Sequence, residues 1–168
     1  MKYHQLIELS ADTIANLSDL TLWNDQLTSL PEEIGKLIKL RALNLHGNQL
    51  NSLPESIGNL TDLSKWDLSS NHLTYLPESI GNLTILRKLH LGDNQLTHLP
   101  ASIGNLTNLY ELNLRDNQLT DLPDSFINLT NLHKLRLGDN QLILLPESIG
   151  KLTKLYKLYL RDRGVRCN

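Results

Sequence analysis

A chain of 168 residues is long enough for one domain with a continuous core. Its 18 acidic and 16 basic residues leave a net charge of −2, which gives no whole-chain reason to expect nucleic acid or an anionic membrane as partner. Only 5% of the residues are aromatic, so a core must be aliphatic, and no stretch approaches the roughly 18 apolar residues of a membrane span.

Residues 1–16 open the chain. The segment from Met1 to Glu8 holds no apolar run long enough for a signal peptide. Leu6, Leu9, Thr13 and Leu17 follow a helix-like spacing with Ser10 placed as an N-cap, so a helical N-terminal cap is expected over 1–16.

From Leu17 onward the chain repeats itself. Leu17, Leu40, Leu63, Leu86, Leu109, Leu132 and Leu155 are each 23 residues apart. Counting each as position one, position four is Leu except for Trp66, and position six is Leu throughout. Position nine reads Asp25, Asn48, Asn71, Asn94, Asn117, Asn140 and Arg163. The second half of each repeat runs Leu-Pro-x-x-Ile-Gly-x-Leu, and all six prolines share one column: Pro31, Pro54, Pro77, Pro100, Pro123 and Pro146. Seven repeats therefore begin at 17, 40, 63, 86, 109, 132 and 155, and the last stops at Asn168 without its Pro-Ile-Gly half.

These residues and spacings resemble the leucine-rich repeat family, in its 23-residue class found in bacterial proteins and in intracellular Ras-group scaffolds. The resemblance covers Leu17 to about Val165. It implies an α/β solenoid: a right-handed horseshoe with a parallel β-sheet on its concave face and short helical or 3-10 turns on its convex face. The residues support that picture independently. Positions four and six alternate along a strand and face the core, which places positions three, five and seven on the other side. A column of leucines buries itself only when neighbouring repeats stack. An Asn side chain both donates and accepts, so position nine can satisfy buried backbone groups in every layer. Proline suits the first position of an outer turn, and glycine suits its end. In the fifth repeat Phe126 and Ile127 stand where others have Ile and Gly, so that turn is expected to differ.

The outward positions are where function can be written. Position five reads Thr21, Asn44, Asp67, His90, Asn113, Arg136 and Tyr159, six residue types among seven. Position seven reads Trp23, His46, Ser69, Gly92, Arg115, Gly138 and Arg161. The convex columns are also outward, yet they barely vary. A face that diversifies among near-identical copies points to selection for a partner; the alternative is that exposed residues drift and that local backbone hydrogen bonds lock the outer Ser and Asn. Exposed aromatics and arginines dominate interface hot spots. The partner-binding set is accordingly Trp23, Asn44, His46, Asp67, His90, Asn113, Arg115, Arg136, Tyr159 and Arg161. Trp23 could instead pack on the N-terminal cap. Trp66 reads as core packing, and the acidic row Asp93, Asp116, Asp139 and Asp162 as either a site or the neutralising partner of the arginines. Ile143 and Leu144 are expected to cover the last repeats, with a contact patch as the alternative. Residues 151–168 hold six cations against Asp162, a net +5 that favours an acidic partner surface.

Chemistry is not written here. The histidines form no His-x-x-x-His pair or Cys/His ligand set, and no phosphate loop or acid/base pair appears. No cofactor or metal is expected, and the chain is not read as an enzyme. Cys167 has no partner for a disulfide, and cysteine-rich caps are lacking, so a cytoplasmic location is the expectation, or export as a bacterial effector without a cleavable signal. Asn-Leu-Ser/Thr at Asn16, Asn59, Asn82, Asn105 and Asn128 follows from the repeat. The expected function is a protein–protein interaction module acting through its concave face, as a monomer or a weak homodimer. The alternative is a structural scaffold, self-associating through the C-terminal edge of the stack.

Overall fold

The computed structural model describes residues 16–143, 145 and 147–160. The expected cap over 1–15, together with Leu144, Arg161 and the cations beyond it, lies outside the described residues. Seven strands run in the order of the sequence: β1 (Asp19–Thr21), β2 (Ala42–Asn44), β3 (Lys65–Asp67), β4 (Lys88–His90), β5 (Glu111–Asn113), β6 (Lys134–Arg136) and β7 (Lys157–Tyr159). They form one parallel sheet in which each strand pairs with the next, 23 residues along, so that Leu43 lies beside Leu20 and Trp66, and Leu112 beside Leu89 and Leu135. Backbone bonding extends beyond these three-residue strands. At position two, for example, Tyr110 N–H donates to Arg87 O, and His133 N–H to Tyr110 O. At position eight Asp93 N–H donates to Arg115 O.

The core is a stack of leucine columns. Positions one, four, six and eleven of the central repeats are buried outright, as are the Ile and Leu of the first four outer turns. Each such Leu contributes about 1.5–3 kcal/mol relative to an exposed one, and the contribution exists only while the neighbouring layers are in place. Trp66 is buried as expected, with no protein acceptor for its indole N–H.

The position-nine asparagines bind the layers to one another. Asn71 Oδ1 accepts from Leu50 N–H of the repeat before, at 3.0 Å, while its Nδ2 donates to Leu68 O and Leu45 O at 2.9 and 3.0 Å. Asn94 and Asn117 repeat the pattern. One side chain thus satisfies three buried backbone groups drawn from its own repeat and the one before.

The convex side carries six 3-10 turns: Glu32–Lys36, Glu55–Asn59, Glu78–Asn82, Ala101–Asn105, Asp124–Asn128 and Glu147–Lys151. The proline stands just before the turn, in extended conformation, and its carbonyl accepts from the N–H three residues on. It is a cap residue, one position earlier than expected. The glycine column also has a different reason from the one its place suggested. A Cβ built at Gly58 would lie 2.6 Å from Ser79 O and 2.7 Å from Ser79 Cβ of the next repeat. Close approach between layers, not a left-handed turn end, excludes a side chain there.

The fifth turn does not differ. Residues Asp124–Asn128 form the same five-residue 3-10 turn, closed by Leu129 N–H on Phe126 O like its counterparts. Phe126 fills the isoleucine site and is fully buried, and Ile127 is partly exposed. Left-handed backbone occurs instead at position eight, at Asn24, Gly47, Ser70, Asp93, Asp116 and Asp139. Asn, Asp and Gly tolerate that conformation best, which accounts for much of the acidic row by turn chemistry alone.

Candidate functional site

The strands place positions three, five and seven outward, and Trp23 is the most exposed of the aromatic side chains there, at 57%. It stands at position seven, just past the end of β1; the alternative of packing on the N-terminal cap involves residues outside those described. Next to its column lies a shallow groove of about 250 Å³ over β1–β4, whose rim includes Asn44, Asp67 and His90 together with Lys65 and Lys88. Ala42 is the small residue in the position-three column and leaves room for the depression.

A chain of charges crosses the sheet here. His90 Nδ1 is 3.7 Å from Asp67 Oδ2, its Nε2 is 3.6 Å from Glu111 Oε1, and Lys134 Nζ is 3.7 Å from Glu111 Oε2. Partial burial alone would raise the Asp67 carboxyl. The His90 imidazole and the Ser69 backbone N–H outweigh it and hold the pKa at about 2. Asp67 is therefore a firm anion facing a groove that also carries lysines.

The other expected residues sort into separate pairs. Arg115 Nε and Nη2 both reach Asp139 Oδ2, at 2.9 and 2.8 Å, with Asp116 Oδ2 3.2 Å from Nε. Gly138, its neighbour in the position-seven column, leaves the guanidinium room to lie across the layer. The Asp139 bond, with both acids nearby, raises the Arg115 pKa. The guanidinium of Arg136 sits 5.3 Å from the Tyr159 ring centre, a cation–π contact. Asn113 lies between these groups and accepts from Arg115 N–H at 3.2 Å. His46 is half-buried in the Trp23 column, and its N–H is held by Asn44 Oδ1 at 3.0 Å.

That last contact recurs. Asn44, Asp67 and Asn113 at position five each accept from the N–H two residues on, at position seven. Their identities are therefore partly dictated by the backbone at the strand end, a constraint the sequence pattern did not reveal.

Sequence reasoning also missed a cluster at position two. Tyr110 stacks on His133 with ring centres 4.4 Å apart, and His133 meets Tyr156 edge-on at 5.8 Å. The two tyrosine hydroxyls are 3.0 Å apart. The same 23-residue spacing would have found them. Ile143, expected to cover the last repeats or else to form a contact patch, is 87% exposed. Among the described residues no three His, Cys, Asp or Glu side chains gather so as to hold a metal ion, and no helix is long and apolar enough to cross a membrane.

A family model for a leucine-rich repeat region matches residues 4–93 and 67–166. A leucine-rich repeat protein of Leptospira interrogans is 37% identical over 89% of this chain and 44% of its own, with a TM-score of 0.70. An internalin (InlF) from Listeria monocytogenes is 28% identical over 94% of this chain and 46% of its own, with a TM-score of 0.80. The chain thus spans less than half the length of either of these proteins. No curated protein matches it. Stacked leucines, an asparagine bonded across layers in every central repeat, and a match over nearly the whole length agree: the chain belongs to the leucine-rich repeat family.

Proposed function

We propose that the chain is a protein-binding module whose partner docks on the concave face, with Trp23, His46, His90, Arg115, Arg136 and Tyr159 as the main contacts. The observation that carries this reading is Trp23, a large aromatic held 57% exposed on a rigid sheet. An aromatic so placed contributes little to the fold and much to an interface that covers it. The cation–π pair of Arg136 and Tyr159, five and six strands further along the same face, would mark the other end of the footprint. With strands about 4.8 Å apart, the platform from β1 to β7 spans roughly 29 Å, the width of a small domain.

The test is affinity for a partner captured from the source cell's extract. Trp23→Ala and Arg115→Ala are each expected to weaken binding by about tenfold or more, the range of a hot spot, while Glu55→Ala on the convex side leaves it unchanged. Equal affinity in all the concave variants would remove the assignment.

A second reading is self-association through the β7 edge. Leu158 and Leu160 are exposed at 38% and 43%, unlike their buried counterparts in the preceding layers. Sedimentation decides it: a dimer broken by Leu158→Lys in a folded chain would favour self-association, and a monomer at all concentrations would exclude it.

A further inference from the structure

The two edges of the sheet carry opposite charge. Consider first the leading edge, the residues from two before position one through position three of each repeat. Among the described residues it holds eight lysines and arginines against Asp19, Asp62 and Glu111. Among the described residues the trailing edge, positions eight to thirteen, holds five aspartates and no lysine or arginine. The chain's net charge of −2 hides this division.

Near the middle of the leading edge is a groove of about 420 Å³, lined by Arg87, Lys88, Asn108, Tyr110, Asn131 and His133. Its floor is rigid. The position-two backbones are hydrogen-bonded in series from Arg87 through Tyr110 and His133 to Tyr156. The rings stack above them, and His133 Nδ1 is fixed by Asn131 O at 2.7 Å. The two asparagines are held too, Asn108 by Thr84 O and Asn131 by Thr107 O. Arg87 and Lys88, both exposed, have no ion-pair partner among the described residues. A groove with a fixed aromatic floor and uncommitted cations on its rim is suited to an anion that brings its own backbone.

We propose that this leading-edge groove is a second docking site, which takes an acidic, extended segment of a partner protein, with Arg87 and Lys88 binding its carboxylates. This proposal rests on the reading of the chain as a protein-binding module but not on the concave face. Arg87 presents a planar fork that matches a carboxylate through two parallel bonds. A peptide is favoured over a nucleic acid because the rings are already taken. Tyr110 and His133 cover one another and the tyrosine hydroxyls bond each other, so of the three rings the exposed Tyr156 alone keeps an open face, too little of a platform for successive bases. Lys65, beside Lys88 at position three, extends the positive track on one side of the groove; on the other side Lys134 is paired with Glu111.

The test uses the full chain and a fluorescein-labelled polyglutamate peptide at low salt, with the His133 ring resonances followed by NMR. The peptide should bind, shift the His133 signals but not those of His98 on the opposite edge, and weaken as salt rises. The double variant Arg87→Glu, Lys88→Glu should lose affinity by about tenfold or more, and Lys36→Glu, Lys151→Glu, with the same change in net charge on the convex turns, by less than about twofold. Circular dichroism identical to the parent chain certifies the fold of each variant, and Arg87→Gln, Lys88→Gln gives a milder pair should the reversal fail to fold. Absence of peptide binding, equal losses in the two double variants, or tighter binding of a single-stranded oligonucleotide at the same groove would each overturn the proposal. None of these results alters the effect of Trp23→Ala, so the two sites fail separately.

Discussion

The convex turns and the concave strands are both outward, repeated in register and solvent-facing, yet they obey different constraints. On the convex side a glycine in one layer meets a serine in the next so closely that a single added carbon collides at Gly35, Gly58, Gly81 and Gly104. Glu32 and Glu78 then reach across to the N–H groups of Ser56 and Ser102 in the following turn. Constancy there is the signature of packing. On the concave side the strands are held by backbone bonds common to every layer, while side-chain contacts between layers are particular pairs such as His90–Asp67 and Arg115–Asp139 that no column repeats. The comparison teaches that low variation in the outer columns says nothing about function, while variety on the strand face is permitted by geometry before any partner selects it. The case for a binding face therefore rests on which residues occupy it, Trp23 above all, more than on diversity as such.

The sharpest way to break the comparison is to remove a bond that unites both sides. Asn94→Ala leaves Leu73 N–H without its acceptor and takes one of two donors from each of Leu68 O and Leu91 O, which keep Asn71 and Asn117. One buried N–H left unsatisfied costs about 1–3 kcal/mol, and with two carbonyls weakened besides, the loss in a urea melt should lie at the upper end of that range. Next is the convex contact. Gly81→Ala places a Cβ 2.6 Å from Ser102 Cβ and 2.9 Å from Ser102 O, and the resulting layer shift should cost about 1–3 kcal/mol. The effect would be smaller only if the turns can slide apart, which the shared spacing of four successive glycines opposes.

The concave charge chain gives a smaller and pH-bounded effect. Because the folded pKa of Asp67 is depressed to about 2 from 3.8, its contribution is complete above the ordinary carboxylate range and fades as pH falls from about 4 towards 2. Asp67→Asn should flatten the stability profile in that window, as followed by thermal melts at stepped pH. The smallest effect sharpens the contrast from the other side: Trp23→Ala should change stability by no more than about 0.5 kcal/mol, because the side chain buries little.

Much of this arrangement is legible in the chain itself. Leucine columns, the asparagine column and the proline column report their structural roles because each is enforced identically in every layer, and a period of 23 exposes them. What escaped has a physical reason. The role of glycine in the outer turns depends on the distance to the next layer, which a one-dimensional repeat does not contain. The turn at Asp124–Asn128 keeps its shape despite Ile127 because its closure needs only backbone bonds, and Phe126 supplies the buried anchor. Asn44, Asp67 and Asn113 look free by alternation but cap their own strand ends. The stack of Tyr110, His133 and Tyr156 lies at position two, just outside the alternating strand positions, so attention to the strand face passed over it.

Hydroxyl-radical footprinting of the chain, alone and with its partner bound, puts the central claim to the most direct test. The account predicts that Trp23, His46, His90 and Tyr159 become protected while Ile38 and Ile85, outside the strand face, keep their reactivity. Protection confined to the convex turns, with Trp23 as reactive in the complex as in the free chain, would contradict it.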